Sequence, residues 1–280
     1  MKLRANKRTI LDPVRPSAAA EAWYAGKLEK LIKAMDASLF YWIKAMYRAH
    51  PHTTEDAASA PTRAMAKKLD RLAKEWQTMF DHMSKELATK FVDKAVAHTD
   101  LAMRASLKKA GFSINFQMTQ PMRNAFDAKV MDNVSLIKSI SSDHLHEVKM
   151  LVSESVQKGR SMKELTEGLH DILTIDHTEW DDSKTLRRAR LIARTENNKA
   201  TSLFVRTRQK GFGITKAIWS HTSASIHPRE EHEEWNGEEY DVEEGMDSVY
   251  DGPNIFPGEL PNCGCSCRSV VPGFDEEETE

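Results

Sequence analysis

Apolar residues recur at Leu28, Ile32, Met35, Leu39, Trp42 and Met46, in steps of 4, 3, 4, 3 and 4. Such steps put all six side chains on one face of a helix, so an amphipathic helix is predicted here. Pro51 stops the pattern, and His50 to Pro61 reads as a polar loop. A second helix is predicted from the stripe Leu69, Leu72, Trp76, Met79, Met83 and Leu87, with Phe80 and Phe91 beside it. It continues toward Leu107 and stops at Gly111, with Lys108 and Lys109 favourably placed at the negative helix end. Residues 112–135 carry no clean period and contain Pro121, which predicts a partly extended stretch. Leu145, Val148, Leu151, Val152 and Val156 mark a further helix closed by Gly159. Ser161 and Glu164 form a capping-box pattern ahead of Leu165, Leu169 and Ile172. A long helix is then expected from about Ser183 to Lys210, ended by Gly211 and Gly213.

Beyond Gly213 the periods shorten. Ala217 to Trp219 suits a short strand, and Asn236-Gly237 is a tight-turn dipeptide that Trp235 and Tyr240 to Val242 can flank as a hairpin. Pro257-Gly258 is another turn, and Arg268 to Val271 fits a final strand. The expected fold class is a mainly α N-terminal helical region with a smaller α+β C-terminal module. The expected layout is a basic arm over 1–20, a helical region over 21–175, the α+β module over 176–274, and an acidic tail over 275–280.

Composition narrows the function classes. No run of about 18 uncharged apolar residues occurs, so no membrane-spanning helix is expected. Lys2, Arg4, Lys7, Arg8 and Arg15 precede no apolar stretch of the kind a secretory leader needs. The net charge of −2 conceals a strong polarity. Residues 1–227 hold 38 of the 40 basic and 25 of the 42 acidic residues, a net +13. The remaining stretch holds 2 basic and 17 acidic residues, a net −15. A basic front of this kind steers toward DNA or toward an acidic protein surface, or forms solvated helix faces.

Candidate chemistry is confined to the C-terminal module. The three cysteines, Cys263, Cys265 and Cys267, fall within five residues of one another. A disulfide between Cys263 and Cys265 would close a small strained ring. Metal binding suits the pattern better, because alternate residues of an extended segment can direct two thiolates the same way. Zinc takes about four such ligands in a tetrahedron. His221, His227 and His232 lie in the same module, and His221, His232, Cys263 and Cys265 make a Cys2His2 set, with Cys267 as an alternative ligand. The alternative is a reduced segment without metal. His232-Glu233-Glu234-Trp235-Asn236 fails as a metalloprotease helix, since Asn236 occupies the second histidine position. No nucleophile elbow, phosphate-binding P-loop or dinucleotide fingerprint is present, so no catalytic residues are assigned and a non-enzymatic protein is expected. Arg194 and Glu196 point in different directions on the long helix, so one can brace the module while the other meets solvent.

The second half, over about 134–274, resembles the phage Mu F-like head-morphogenesis (minor capsid) family. The resemblance rests on an ordered set: Gln157 to Ser161 with Leu165, Leu191 to Glu196 with Asn198 to Ala200, and Ile218 to His221. It continues through Pro228-Arg229, His232, Asn236-Gly237, Tyr240-Asp241, Gly245-Met246, Phe256 to Leu260, Asn262 to Cys265, and Val271 to Phe274. Where the family usually carries Arg between the paired cysteines, this chain has Gly264, and Cys267 is an additional thiol. The resemblance implies a structural virion protein of a tailed phage, present in several copies in the head interior or near the portal. Implied partners are the portal protein, other head proteins and packaged phage DNA, with assembly in the host cytoplasm and no membrane. The competing expectation is a metal-dependent nuclease or hydrolase in the C-terminal module.

Overall fold

The computed structural model describes residues 8–49, 60–157, 162–173, 183–222 and 228–272. His227, Gly159, Ser161, the loop 50–59 and the tail 275–280 lie outside the described residues. In chain order the elements are β1 (Thr9–Ile10), α1 (Ala18–Ala49), α2 (Ala60–Lys109), α3 (Gln120–Gln157), α4 (Met162–Ile172) and α5 (Lys184–Gly211). They are followed by β2 (Lys216–Ser220), α6 (Glu230–Glu234), β3 (Glu239–Asp241), β4 (Met246–Ser248), β5 (Gly252–Ile255) and β6 (Ser266–Val271). The expected class, a helical front with a small α+β C-terminal part, is what the structure shows. Among the described residues no helix is long and apolar enough to cross a membrane.

The chain divides into two compact units. One comprises residues 1–21, 90–129 and 194–280; the other comprises 22–89 and 130–193. Among its described residues, the second unit is built of helices alone. Its α1 buries Leu28, Ile32, Met35 and Leu39 as expected, but then Ile43 and Tyr47, while Trp42 is 38% exposed. A strict alternation of 4 and 3 drifts off one face of a straight 3.6-residue helix, so the stripe slips by a residue after three turns. The same slip operates on α2, where Phe80 is wholly buried and Met79 and Met83 are exposed.

The expectation of an extended stretch over 112–135 fails from Gln120 onward, where α3 begins. Pro121 occupies its first turn, a position where its missing N–H would have had no intrahelical partner. The buried stripe of α3 includes Lys129, Asn133, Ser141 and His144 among its apolar members, which hides the helical period from a hydrophobicity reading.

Among the described residues, the first unit holds all the strands. Its main sheet has the order β1-β6-β2-β3, antiparallel throughout, and β4 and β5 form a separate hairpin. Thr9 pairs with Val271, and Leu11 and Val14 are buried with Met103, Leu107, Val205 and Ile214. Residues 8–14, expected in a basic arm, therefore form a sheet edge and part of a core. α2 and α5 end alike, at Gly111 and Gly213 with positive φ. Phe112 N–H donates to the Leu107 carbonyl and Ile214 N–H to that of Gln209, each five residues back, as a left-handed glycine cap allows. The hairpin expected from Trp235 to Val242 does not form. Trp235 caps α6, and β3 pairs with β2 instead, Tyr240 facing Ala217, with Gly237 in the turn that leads from α6 into β3.

Candidate metal centre

Three segments of the first unit converge on one buried spot. β2 delivers Trp219 and, just past its end, His221; the backbone N–H of His221 donates to Asn236 Oδ1 at 3.0 Å. The single turn of α6 carries His232, the one buried residue of that helix. Its imidazole stacks on Trp235, with centroids 5.2 Å apart, and meets the edge of Trp219 at 5.0 Å. The loop before β6 carries Cys263 and Cys265, both buried and neither in a disulfide.

His232, Cys263 and Cys265 place their ligand atoms within 4.8 Å of one another. His232 Nδ1 lies 3.4 Å from Cys263 Sγ and 3.8 Å from Cys265 Sγ. His221 joins the group through Cys265, with Nδ1 3.5 Å from that sulfur, and stands outside the tight trio. The structure thus brings three of the four expected ligands into one cluster and sets the fourth against it. Cys267 lies elsewhere: its sulfur meets Gln209 Nε2 at 3.5 Å and its half-buried thiol is pushed up in pKa by desolvation. The two thiols of the cluster split in opposite directions. A hydrogen bond from Cys265 lowers the pKa of Cys263, with His232 adding to the effect, while that same bond and burial raise Cys265. Cys263 is the natural thiolate of the pair.

A run of four buried residues on α5 holds the cysteine loop in place. Thr195 Oγ1 accepts from the backbone N–H of Asn262 at 3.2 Å, and Asn198 Nδ2 donates to the Cys263 carbonyl at 2.8 Å. Between them, Glu196 pairs with Lys129 at 2.9 Å and Asn197 donates to the Ser17 carbonyl at 3.0 Å. Thr195 to Asn198 therefore tie α5 to three other segments. Glu196 is the charge that braces; Arg194 is 3.5 Å from Glu21 with a largely exposed side chain. The sequence reading missed Asn198 and Lys129 as supports. Six consecutive polar residues, Arg194 to Lys199, between Ala193 and Ala200, both wholly buried, were the available signal.

Sterics shape the loop as well. A Cβ on Gly258, whose φ is +81°, would sit 3.0 Å from the Cys265 carbonyl oxygen and 3.3 Å from that of Asn198. At Gly264 a Cβ would meet Thr222 Cγ2 at 2.7 Å, so any side chain there requires Thr222 to give way. Among the described residues, the cavity that reaches Cys265 and Cys267 measures only about 20 Å³. That is room for about one water molecule.

Residues 146–271 match the family described as Phage Mu protein F like protein. Over 99% of its length the chain is 25% identical to an uncharacterized protein of Haemophilus influenzae. It spans 58% of the length of that relative. No solved structure matches it. The match covers α4, α5, the sheet strands β2, β3 and β6, and the whole His/Cys cluster. Over residues 146–271, the chain is thus similar to the Phage Mu protein F like family.

Proposed function

We propose that this protein is a minor head component of a tailed phage that acts in head morphogenesis as a docking piece. In this reading it sits in the head interior at the portal in several copies, contacts the portal protein and other head proteins, and lays its basic part against packaged DNA. The carrying observation is that the family match takes in the buried polar joints of the sheet-bearing unit together with the whole His/Cys cluster. The matched residues are spent on buried joints, Thr195 and Asn198 to the cysteine loop and Glu196 to Lys129. A minor head protein needs a rigid shape to present to neighbours, and buried polar joints of this kind specify one conformation. The net +13 of residues 1–227 supports the DNA contact, since neutralising phosphates releases counterions.

Deleting the gene from the phage and purifying the particles tests the reading. Expected are heads that are defective or lack DNA, with wild-type protein co-purifying with the portal. Normal infectious particles without the protein would overturn it. DNA affinity of the full chain should fall steeply with salt, and salt-insensitive or absent binding would remove the DNA contact. In the hydrolase alternative His232→Ala would abolish turnover of a nucleic-acid substrate, and turnover that survives the substitution would remove it.

A further inference from the structure

We propose that His221, His232, Cys263 and Cys265 hold a single zinc ion as a closed structural site, independently of any role in head assembly. Bond lengths of about 2.3 Å to sulfur and 2.0–2.1 Å to nitrogen, at tetrahedral angles, put ligand sulfur and nitrogen about 3.6 Å apart. The three sulfur–nitrogen separations, 3.4, 3.5 and 3.8 Å, bracket that edge length. Both imidazoles present the same atom, Nδ1, to the sulfurs. Neither Nε2 has a partner among the described residues, although both are buried.

Thiol–imidazole hydrogen bonds alone account poorly for the cluster. They would leave His232 Nδ1 shared between two weak sulfur partners in a buried site. A cation answers the shared contacts directly, drawing both sulfurs and both Nδ1 atoms toward one centre. Two thiolates and two imidazoles select zinc over calcium or magnesium, which take oxygen ligands.

The surroundings describe a support and not a reaction vessel. Asn198 holds the Cys263 carbonyl, and Glu233 Oε1 stands 3.9 Å from His221 Nε2, where a carboxylate commonly orients a ligating histidine. Trp219 and Trp235 fix the His232 ring. All four coordination positions belong to the protein, leaving none for a reacting water. The ion would staple the end of β2 and α6 to the loop before β6, whose cysteines lie 31 to 44 residues from the histidines. The apolar cluster here has eight buried residues, two of them the cysteines, so a metal supplies cohesion that packing does not.

The test uses the full chain purified under reducing conditions. Elemental analysis should find one zinc per chain. Cobalt exchanged into the site should give the near-ultraviolet thiolate charge-transfer band and the intense visible bands of a tetrahedral ion. Cys263→Ser and Cys265→Ser should each lose the metal, and Cys267→Ser should keep it in full. His221→Gln should weaken zinc binding by about tenfold or more and reduce the visible cobalt intensity. Should a cysteine variant fail to fold, the cobalt titration of the wild-type chain decides alone. The proposal is overturned by reduced, folded protein that contains no zinc and gives no thiolate–cobalt band. Metal retained at full stoichiometry after both cysteines are replaced would overturn it equally.

Discussion

The two units bury polar groups for different ends. In the helical unit, His144 sits between Asp36 at 2.6 Å and Thr185 at 2.7 Å, while Tyr24 pairs with Asn133 and Tyr47 with Ser155. These contacts lock neighbouring helices whose apolar stripes already define the packing. In the sheet-bearing unit the polar contacts make the structure that the helices do not supply. Thr195, Asn197 and Asn198 hold irregular backbone, and Gln209 Nε2 donates to Ser269 Oγ on β6 at 2.8 Å. A buried carbonyl or N–H in a loop has no ladder to satisfy it, so a side chain must. Where regular elements end, polar residues of a neighbouring helix become the scaffold.

The comparison can be broken most forcefully at Lys129 and Glu196, both nearly inaccessible. Glu196→Ala removes the carboxylate facing a buried ammonium and should cost about 3–5 kcal/mol in the sheet-bearing unit, whereas the double change Lys129→Met with Glu196→Leu should recover most of it. Denaturant titration of the three proteins measures both; equal losses in single and double variants would show that the pair is not the brace. In the helical unit, Phe80→Ala should cost about 3–5 kcal/mol and its neighbour Met79→Ala at most about 0.5 kcal/mol. Similar losses at the two positions would mean that the buried face of α2 has been drawn wrongly.

A smaller effect is expected at Asn198. Asn198→Ala strands the Cys263 carbonyl and should cost about 1–3 kcal/mol, seen as faster hydrogen exchange in the cysteine loop. Gly258→Ala should cost about 1–2 kcal/mol from its left-handed backbone alone, more if the two carbonyls resist the added methyl. The smallest effect concerns acid. The Glu243 backbone N–H, 2.7 Å away, holds the Asp241 carboxyl below its ordinary pKa, with Lys216 assisting. Its stabilisation is complete above the unfolded value of about 3.9 and is lost as pH falls through the lower folded value. Asp241→Asn should flatten that acid limb of the urea midpoint, and an unchanged limb would assign it to other carboxylates.

Much of the helical part was legible because helix formation follows local periodicity. The stripes of α1 and α2, the glycine stops at 111 and 213, and the span of α5 all stand close to where side-chain spacing puts them. The errors have physical causes. Helical drift moved Trp42 and Met79 off the buried face, and polar residues in the stripe of α3 masked its first turns. Within the candidate site, clustering of three cysteines with nearby histidines was enough to nominate His232, Cys263 and Cys265.

Which thiol stays apart could not be read from spacing, since Cys263, Cys265 and Cys267 are equally alternate. Backbone geometry separates them: Cys267 lies within β6, opposite Trp219 and against Gln209, while the first two precede the strand. The pairing of Thr9 with Val271 and the reach of Asn198 to Cys263 were equally invisible, because each joins residues with no local signal in common. Local sequence determined where the chain coils, stops and concentrates its soft ligands. Only tertiary packing decided which of those ligands meet, because their distances are set by contacts between residues dozens to hundreds of positions apart.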